Sequence, residues 1–270
     1  MTERSEGMSA ARAGVGQRLR LIVPALVAGL VVVGAWQALV RGLDVQAFIL
    51  PAPSDIAGAL AEGFGAILPA AAVTVRSVLL GLVAGTVLGV LAALVTARLR
   101  GAAGPVLTAA VVLNCAPIIA LAPIFNNWFG VTSLWSKVAV AAIMVFFPVL
   151  VNTTRGLLEV APLHLEVLDA MAATPRQVTL LVRLPGALPH LLSAVKLGAT
   201  LSVIGVIVSE YFGGSVDTLG VYIAQMAALP RYAEAWAGIL VSGCLGLILF
   251  GLVNVLERLV MPWHVSLRSD

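Results

Sequence analysis

The chain has 270 residues, 60% of them apolar and 11% charged, with a formal net charge of +3 and a mean hydropathy of +1.05. A soluble domain carries about 25% charged residues, so the composition excludes a water-soluble globular protein and points to an all-α, polytopic membrane protein. No basic stretch alternates with aromatics, which excludes nucleic acid as a partner.

Residues 1–20 form a polar tail with Arg4, Arg12, Arg18 and Arg20. The apolar run after it is long enough to span and lacks a nearby small-residue cleavage site, so it reads as a membrane helix and not a signal peptide. This first span covers about Leu21–Val40. The next segment contains LPAPSDI, Leu50 to Ile56. Its prolines forbid a regular helix, while Ser54 and Asp55 can cap one. A short helix over about Ile56–Phe64, lying flat at the outer surface, is expected there. The second span covers about Ala70–Ala97. The third, about Pro105–Phe125, is expected to kink at Pro117 and Pro123. The fourth runs over about Leu134–Val151, stopped by Asn152 and Arg155. A large polar loop, about 152–187, precedes the fifth span at about Leu188–Val208. The sixth covers about Ala235–Leu256, and 261–270 form a C-terminal tail. Runs of this length match a hydrocarbon layer of roughly 30 Å. Backbone groups in lipid need internal partners, so six transmembrane helices are predicted, within one domain over 21–260.

Orientation follows from Lys and Arg. With the N-terminus cytoplasmic, eleven lie inside: Arg4, Arg12, Arg18, Arg20, Arg98, Arg100, Arg155, Arg176, Arg183, Arg258 and Arg268. Four lie outside or at its border, Arg41, Arg76, Lys137 and Arg231, with Lys196 in the fifth span. Both termini are therefore predicted to be cytoplasmic and the 152–187 loop to face inward.

That loop contains LEVLDAMAATPRQVTLLVRLPGALP, Leu165 to Pro189. Pro162 can open a helix. Leu165, Leu168, Met171 and Ala172 recur at helical spacing, and Glu166 and Asp169 sit near the helix start, where acidic groups suit the dipole. Thr174-Pro175 breaks this helix. A second helical stretch, about Arg176–Val182, is expected to end at Leu184-Pro185. An exposed apolar stripe on such a helix would fit a groove in a partner.

Polar residues inside spans are candidates for a solute pathway: Asn114 midway along the third span, Asn126 and Asn127 at its outer end, Lys137 opening the fourth, and Glu210 closing the fifth. Glu210 with Arg76 or Lys137 would make an outer ion pair, serving either a gate or the scaffold. Thr200, Ser202 and Ser209 can bond a solute or a neighbouring helix. Lys196 can snorkel to the inner interface. His164, His190 and His264 read as interface residues, and Trp36, Trp128, Trp135, Trp236 and Trp263 as an aromatic belt. Cys115 and Cys244 lie in apolar runs, and no CxxC, Cys/His cluster or HExxH appears, so no metal site is expected.

The inner loop resembles the EAA loop of ABC-importer permeases, whose pattern is Glu-Ala-Ala, three residues, Gly, nine residues, a branched apolar residue, one residue, Leu-Pro. Counting back from Leu184-Pro185 places Glu166 at the Glu position, Ala172 at the Gly position and Val182 at the branched one. Val167-Leu168 replaces Ala-Ala, and alanine replaces a glycine whose positive φ alanine adopts only at a cost. LPAPSDI, APIIALAPIFNNWFG, FFPVLVNTTRGL and LPGALPHLLSAVKLGATLSVIGVIVSE are similar to the nitrate, sulfonate and taurine group of these permeases. The ATLSVIGVIVSE stretch most resembles members associated with hydroxymethylpyrimidine or riboflavin.

The resemblance implies a type I ABC-importer permease fold in a bacterial inner membrane. It implies a homodimer around the pathway, a cytoplasmic ATPase that seats the loop, and an extracytoplasmic binding protein that delivers the solute. Glu166, Asp169, Ala172, Leu184 and Pro185 are then the coupling residues. The chain has no GxxxxGK[ST] of its own, so ATP is expected to bind a partner, no cofactor is expected here, and the chain is not read as an enzyme. A secondary transporter driven by an ion gradient is the alternative; it would need acidic residues mid-span, and none is read there.

Overall fold

A computed structural model describes residues 23–261 except 25, 100, 102, 116 and 161. The N-terminal tail with its four arginines, Arg100, Trp263, His264 and Arg268 lie outside the described residues. Within them the fold is all-α. Four stretches are long and apolar enough to cross a membrane, Pro53–Arg98, Leu134–Leu158, Pro175–Tyr211 and Tyr232–Val260, and Leu26–Gly42, Ala103–Asn114 and Leu219–Ala228 are shorter apolar helices.

Helix α1 is Leu26–Gly42. Helix α2 is Pro53–Arg98, 46 residues without interruption. This corrects the separate flat helix expected over Ile56–Phe64. Pro53 sits in the first turn, where its missing N–H costs nothing, and after it only Pro69 opposes the helix. Ser54 and Asp55 do not cap it; its N-cap is Ala52, with no side-chain hydrogen bond. They instead tie α2 to α1. The Ser54 N–H donates to Gln37 Oε1 at 3.1 Å, Gln37 Nε2 donates to Ser54 Oγ at 3.0 Å, and Arg41 pairs with Asp55. At roughly 70 Å, α2 is more than twice the hydrocarbon thickness. Its first half packs Ile56, Ile67 and Ala71 against Leu219, Ile223 and Ala237, beside Trp36 and Trp236.

The third span is broken rather than kinked. Helix α3, Ala103–Asn114, ends before Pro117; a 3₁₀ turn, Ile118–Leu121, follows; helix α4, Ala122–Phe129, starts with Pro123 in its first turn. Two prolines six residues apart remove two N–H donors within less than two turns, more than one bend absorbs.

Helix α5 is Leu134–Leu158, opened by Ser133 Oγ accepting from the Trp135 N–H. It runs past Asn152 and Arg155, which were expected to stop it. Asn152 Nδ2 instead donates to the Pro148 carbonyl one turn back at 2.8 Å. Helix α6 is Pro162–Ala170 and α7 is Pro175–Val178. A wide π turn, Thr179–Arg183, leads directly into α8, Leu184–Tyr211. Leu184-Pro185 therefore begins a helix rather than ending one, because proline is harmless in a first turn. Helix α9, Leu219–Ala228, lies in a segment where no helix was predicted, and α10 is Tyr232–Val260.

The core is α2, α5 and α8, with α10 beside them. Val78, Leu82, Ala141, Val145, Val149, Ala199, Val203 and Leu249 share one buried cluster. Gly81, Gly85 and Gly89 let α2 and α5 touch: a Cβ at Gly81 would fall 2.4 Å from that of Ala141, and one at Gly85 2.5 Å from the Ala142 carbonyl. Small residues one turn apart are the usual means of close helix approach in lipid. Gly81 meets Ala141 and Gly89 meets Val149, so α2 and α5 are parallel; Gly156 meets His190 and Gly198 meets Val145, so α8 is antiparallel to both.

Candidate functional site

The loop between α5 and α8 is a self-contained unit. Helix α6 ends in a complete Schellman closure, with the Ala173 N–H donating to the Leu168 carbonyl and the Ala172 N–H to the Asp169 carbonyl, each at 2.9 Å. Its left-handed residue is Ala172, with φ of +53°. Alanine thus adopts the conformation for which this position ordinarily uses glycine. Thr174 then caps α7 in a reciprocal box. Its Oγ1 accepts from the Gln177 N–H, and the Gln177 side chain accepts from the Thr174 N–H at 2.7 Å. Two caps within six residues hold the bend without help from the rest of the chain.

Glu166 and Asp169 are exposed and line a cleft of about 300 Å³ with Leu165, Ala173, Val178 and Arg183. Leu165 and Leu168 turn inward and are half-buried. The outward stripe is Leu163, Val167 and Met171, each four residues apart and each more than half exposed, continued by Leu180 and Leu181. Of these only Met171 was singled out from sequence. Leu184 and Pro185 form the first turn of α8, joined to the loop without a break. The five residues predicted for the loop therefore occupy one continuous unit.

Away from the loop, the predicted pathway residues fall into two sets. Asn114 and Asn127 are exposed. Asn126, Lys137 and Glu210 are buried, Glu210 completely. Lys137 Nζ donates to Asn126 Oδ1 at 3.2 Å and to the Val131 carbonyl, and Asn126 Nδ2 donates to the Gly213 carbonyl at 3.4 Å. Glu210 makes no ion pair with Lys137 or Arg76 among the described residues. Its carboxylate accepts from Thr74 Oγ1 at 3.0 Å and from the Gly220 N–H at 2.9 Å, while Thr74 Oγ1 accepts from the Leu219 N–H at 3.0 Å. Leu219 and Gly220 are the first residues of α9, whose N-cap Thr218 makes no side-chain cap bond. Glu210 and Thr74 thus satisfy the orphan donors of that helix, at the positive end of its dipole. Gly220 makes this possible, since a Cβ there would lie 2.5 Å from Glu210 Cβ.

Thr74, Gly220 and Glu257 were missed from sequence. Glu257 lies within α10, not beyond it, and pairs with Lys196 at 2.7 Å, their side chains 10% and 19% exposed. Lys196 therefore has a protein partner rather than only an interface to reach. An acidic residue three positions from the helix's last residue looks like a boundary charge; only a cation at the same depth on α8 reveals otherwise. Ser202 Oγ and Thr200 Oγ1 donate to carbonyls of their own helix, so they serve α8 itself.

A model of the family described as binding-protein-dependent transport system inner membrane component matches residues 85–262. The formylaminopyrimidine transport permease protein ThiX of Halalkalibacterium halodurans is 36% identical over 144 residues, 53% of this chain and 57% of that protein. The riboflavin transport system permease protein RibX of Chloroflexus aurantiacus is 32% identical over 233 residues, 86% of each. The chain thus spans little more than half of the first relative and most of the second. A crystal structure of an amino acid ABC transporter with histidines has the same fold, with a TM-score of 0.58 and 16% identity, covering 74% of this chain and 96% of that one.

Proposed function

Since the chain belongs to the binding-protein-dependent transport system inner membrane component family and is an ABC importer permease, we propose that two copies form a solute pathway worked by a separate ATPase through the 162–183 loop. The observation that carries this is the loop itself: a doubly capped, outward-facing unit, apolar along Leu163, Val167 and Met171 and acidic at Glu166 and Asp169, fused to α8 at Leu184 and Pro185. A rigid unit continuous with a long helix transmits displacement. The apolar stripe supplies burial in a partner's groove, and the acidic pair offers charge-assisted bonds to its cations. Closure of the ATPase pair on ATP would draw the two loops together and rock the bundles between inward-open and outward-open states.

In this reading the loop is cytoplasmic, as are both termini, in a bacterial inner membrane. An extracytoplasmic binding protein delivers the solute at the α9 end. Asn114 and Asn127 face the pathway, and Asn126, Lys137 and Glu210 hold α4, α5, α8 and α9 in register at its mouth. The cargo is a heteroaromatic vitamin precursor of the pyrimidine or flavin kind, ahead of a sulfonate, taurine or nitrate. This is supported by the solutes for which the relatives ThiX and RibX are named.

The test is reconstitution in vesicles with the cognate ATPase and binding protein. Uptake of labelled solute is expected only with all three and ATP. Glu166→Lys should abolish most uptake while the ATPase still turns over. Uphill uptake by this chain alone on an ion gradient would overturn the reading in favour of a secondary transporter.

A further inference from the structure

The Lys196–Glu257 pair lies within the spans and is not sealed off. Its side chains keep 19% and 10% of their surface. Lys196 is roughly 18 Å along α8 from Leu184, inside an apolar stretch. Charged groups at such depth face protein or water rather than acyl chains. Other polar groups join them. Helix α10 begins beside α9, where Gly238 meets Ile223, and reaches Lys196 near its end, so it runs toward the loop. Asn254, three residues before Glu257, is therefore one turn further from the loop. Its carboxamide is half-buried and makes no hydrogen bond among the described residues. Phe250, 43% exposed, lies one turn further again on the same side. On α8, Ser193 and Thr200 lie one turn to either side of Lys196.

The packing shows where this strip looks. Helix α8 packs on α2, α5, α9 and α10, and touches the 3₁₀ turn and α4. The last two sit with α5, whereas α10 sits with α2 and α9. The face of α8 left open thus lies between α10 and the broken span. Val241 and Leu245 turn one side of α10 toward the cluster shared by α2 and α9, and Glu257 turns the other toward α8. Asn254 and Phe250 fall on the Glu257 side. The strip lines a trough floored by α8 and walled by α10 and the broken span.

Its chemistry discriminates between solutes. Lys196 is already neutralised by Glu257, so the strip has no spare cation for a sulfonate or nitrate. The free group is an amide. A carboxamide offers a donor and an acceptor side by side. That edge matches the ring nitrogen and amino group of an aminopyrimidine, or the imide of a flavin, as asparagine matches adenine. Phe250 offers a face on which a planar ring can stack.

We propose that Asn254 and Phe250, with the Lys196–Glu257 pair on their loop side, form a station in the loop-side half of the pathway that binds an uncharged, planar nitrogen heterocycle. This rests on the cargo reading above and adds the residues by which the chain itself selects.

The experiment uses the permease with its cognate ATPase and binding protein in vesicles, with labelled formylaminopyrimidine and riboflavin as probes. The parent should take up one of them with ATP. Asn254→Leu should lower that uptake roughly tenfold, as loss of a bidentate contact does, and Asn254→Gln should recover part of it. Phe250→Ala should lower it too. ATP hydrolysis stimulated by the loaded binding protein should stay at the parental rate in all three, which a merely structural defect would not allow. A photoactivatable aminopyrimidine should leave adducts on Ser193 and Asn254 over Ile248 and Val255, exposed on another side of α10. If the parent transports a probe while Asn254→Leu matches it, or adducts fall equally on Ile248 and Val255, the station is overturned and the cargo reading stands. If the parent takes up neither probe, the cargo reading fails and the station with it.

Discussion

Ala172 holds a left-handed conformation with φ of +53°, and an L-residue there carries a penalty of about 1–2 kcal/mol that glycine escapes. Ala172→Gly should therefore raise stability by about 1 kcal/mol. Ala172→Val should lower it, since a β-branched residue is a poorer occupant of that region. Thermal unfolding midpoints of the purified protein check both. A midpoint unmoved by glycine would mean that the turn is not under strain. Lys196 and Glu257 pose the complementary question. Removing one partner of a buried pair costs about 3–5 kcal/mol, because the remaining charge is stranded, whereas replacing both by apolar residues is close to neutral. Glu257→Gln should thus sharply reduce the yield of monodisperse protein on size-exclusion chromatography. Lys196→Met with Glu257→Leu should recover most of it. If the double variant fared as badly as the single one, the pair would serve more than mutual neutralisation.

Among the elements, α9 depends on groups remote in sequence. Its first two N–H groups are satisfied by Glu210 of α8 and Thr74 of α2, and the fit needs a glycine at 220. Gly220→Ala forces a Cβ against Glu210 and the Ile207 carbonyl, an overpacking cost of about 1–3 kcal/mol. Protease cleavage within 212–231 should accelerate in that variant while the rest of the chain keeps its resistance; uniform protection would remove Glu210 from its capping role. The same element shows what sequence could not supply. The long apolar runs were legible because lipid demands length and apolarity, and α5, α8 and α10 overlap the predicted spans with ends extended by up to seven residues. The loop helix was legible because Pro162, Thr174 and Pro175 punctuate it locally. Helix α9 was not, because its cap comes from two other helices. The continuity of α2 was hidden too: LPAPSDI reads as a breaker until Pro53 is seen to occupy a first turn. For the site, residue spacing located Glu166, Asp169 and Ala172, but which apolar residues of α6 face outward was decided by packing against the rest of the loop.

At the scale of the whole molecule, the break between α3 and α4 requires either covering protein or water. Cys115 and Pro117 stand outside any helix within an apolar stretch, and Asn114, Cys115 and Pro117 are exposed on the single chain. Backbone without helical hydrogen bonds is tolerated at membrane depth only where protein covers it or water reaches it. The proposed dimer would meet that requirement if this break faced the second copy across the pathway. The chain supplies its own probe: Cys115 is at the break, and Cys244 is exposed on the unbroken helix α10. If the break lines a water-filled path, a small hydrophilic thiol reagent should modify Cys115 while Cys244, facing lipid, stays unreacted. Trapping the ATPase closed should change the Cys115 rate and leave Cys244 alone. Equal protection of both cysteines in every state would place the break against dry protein, and the pathway would have to run along other residues.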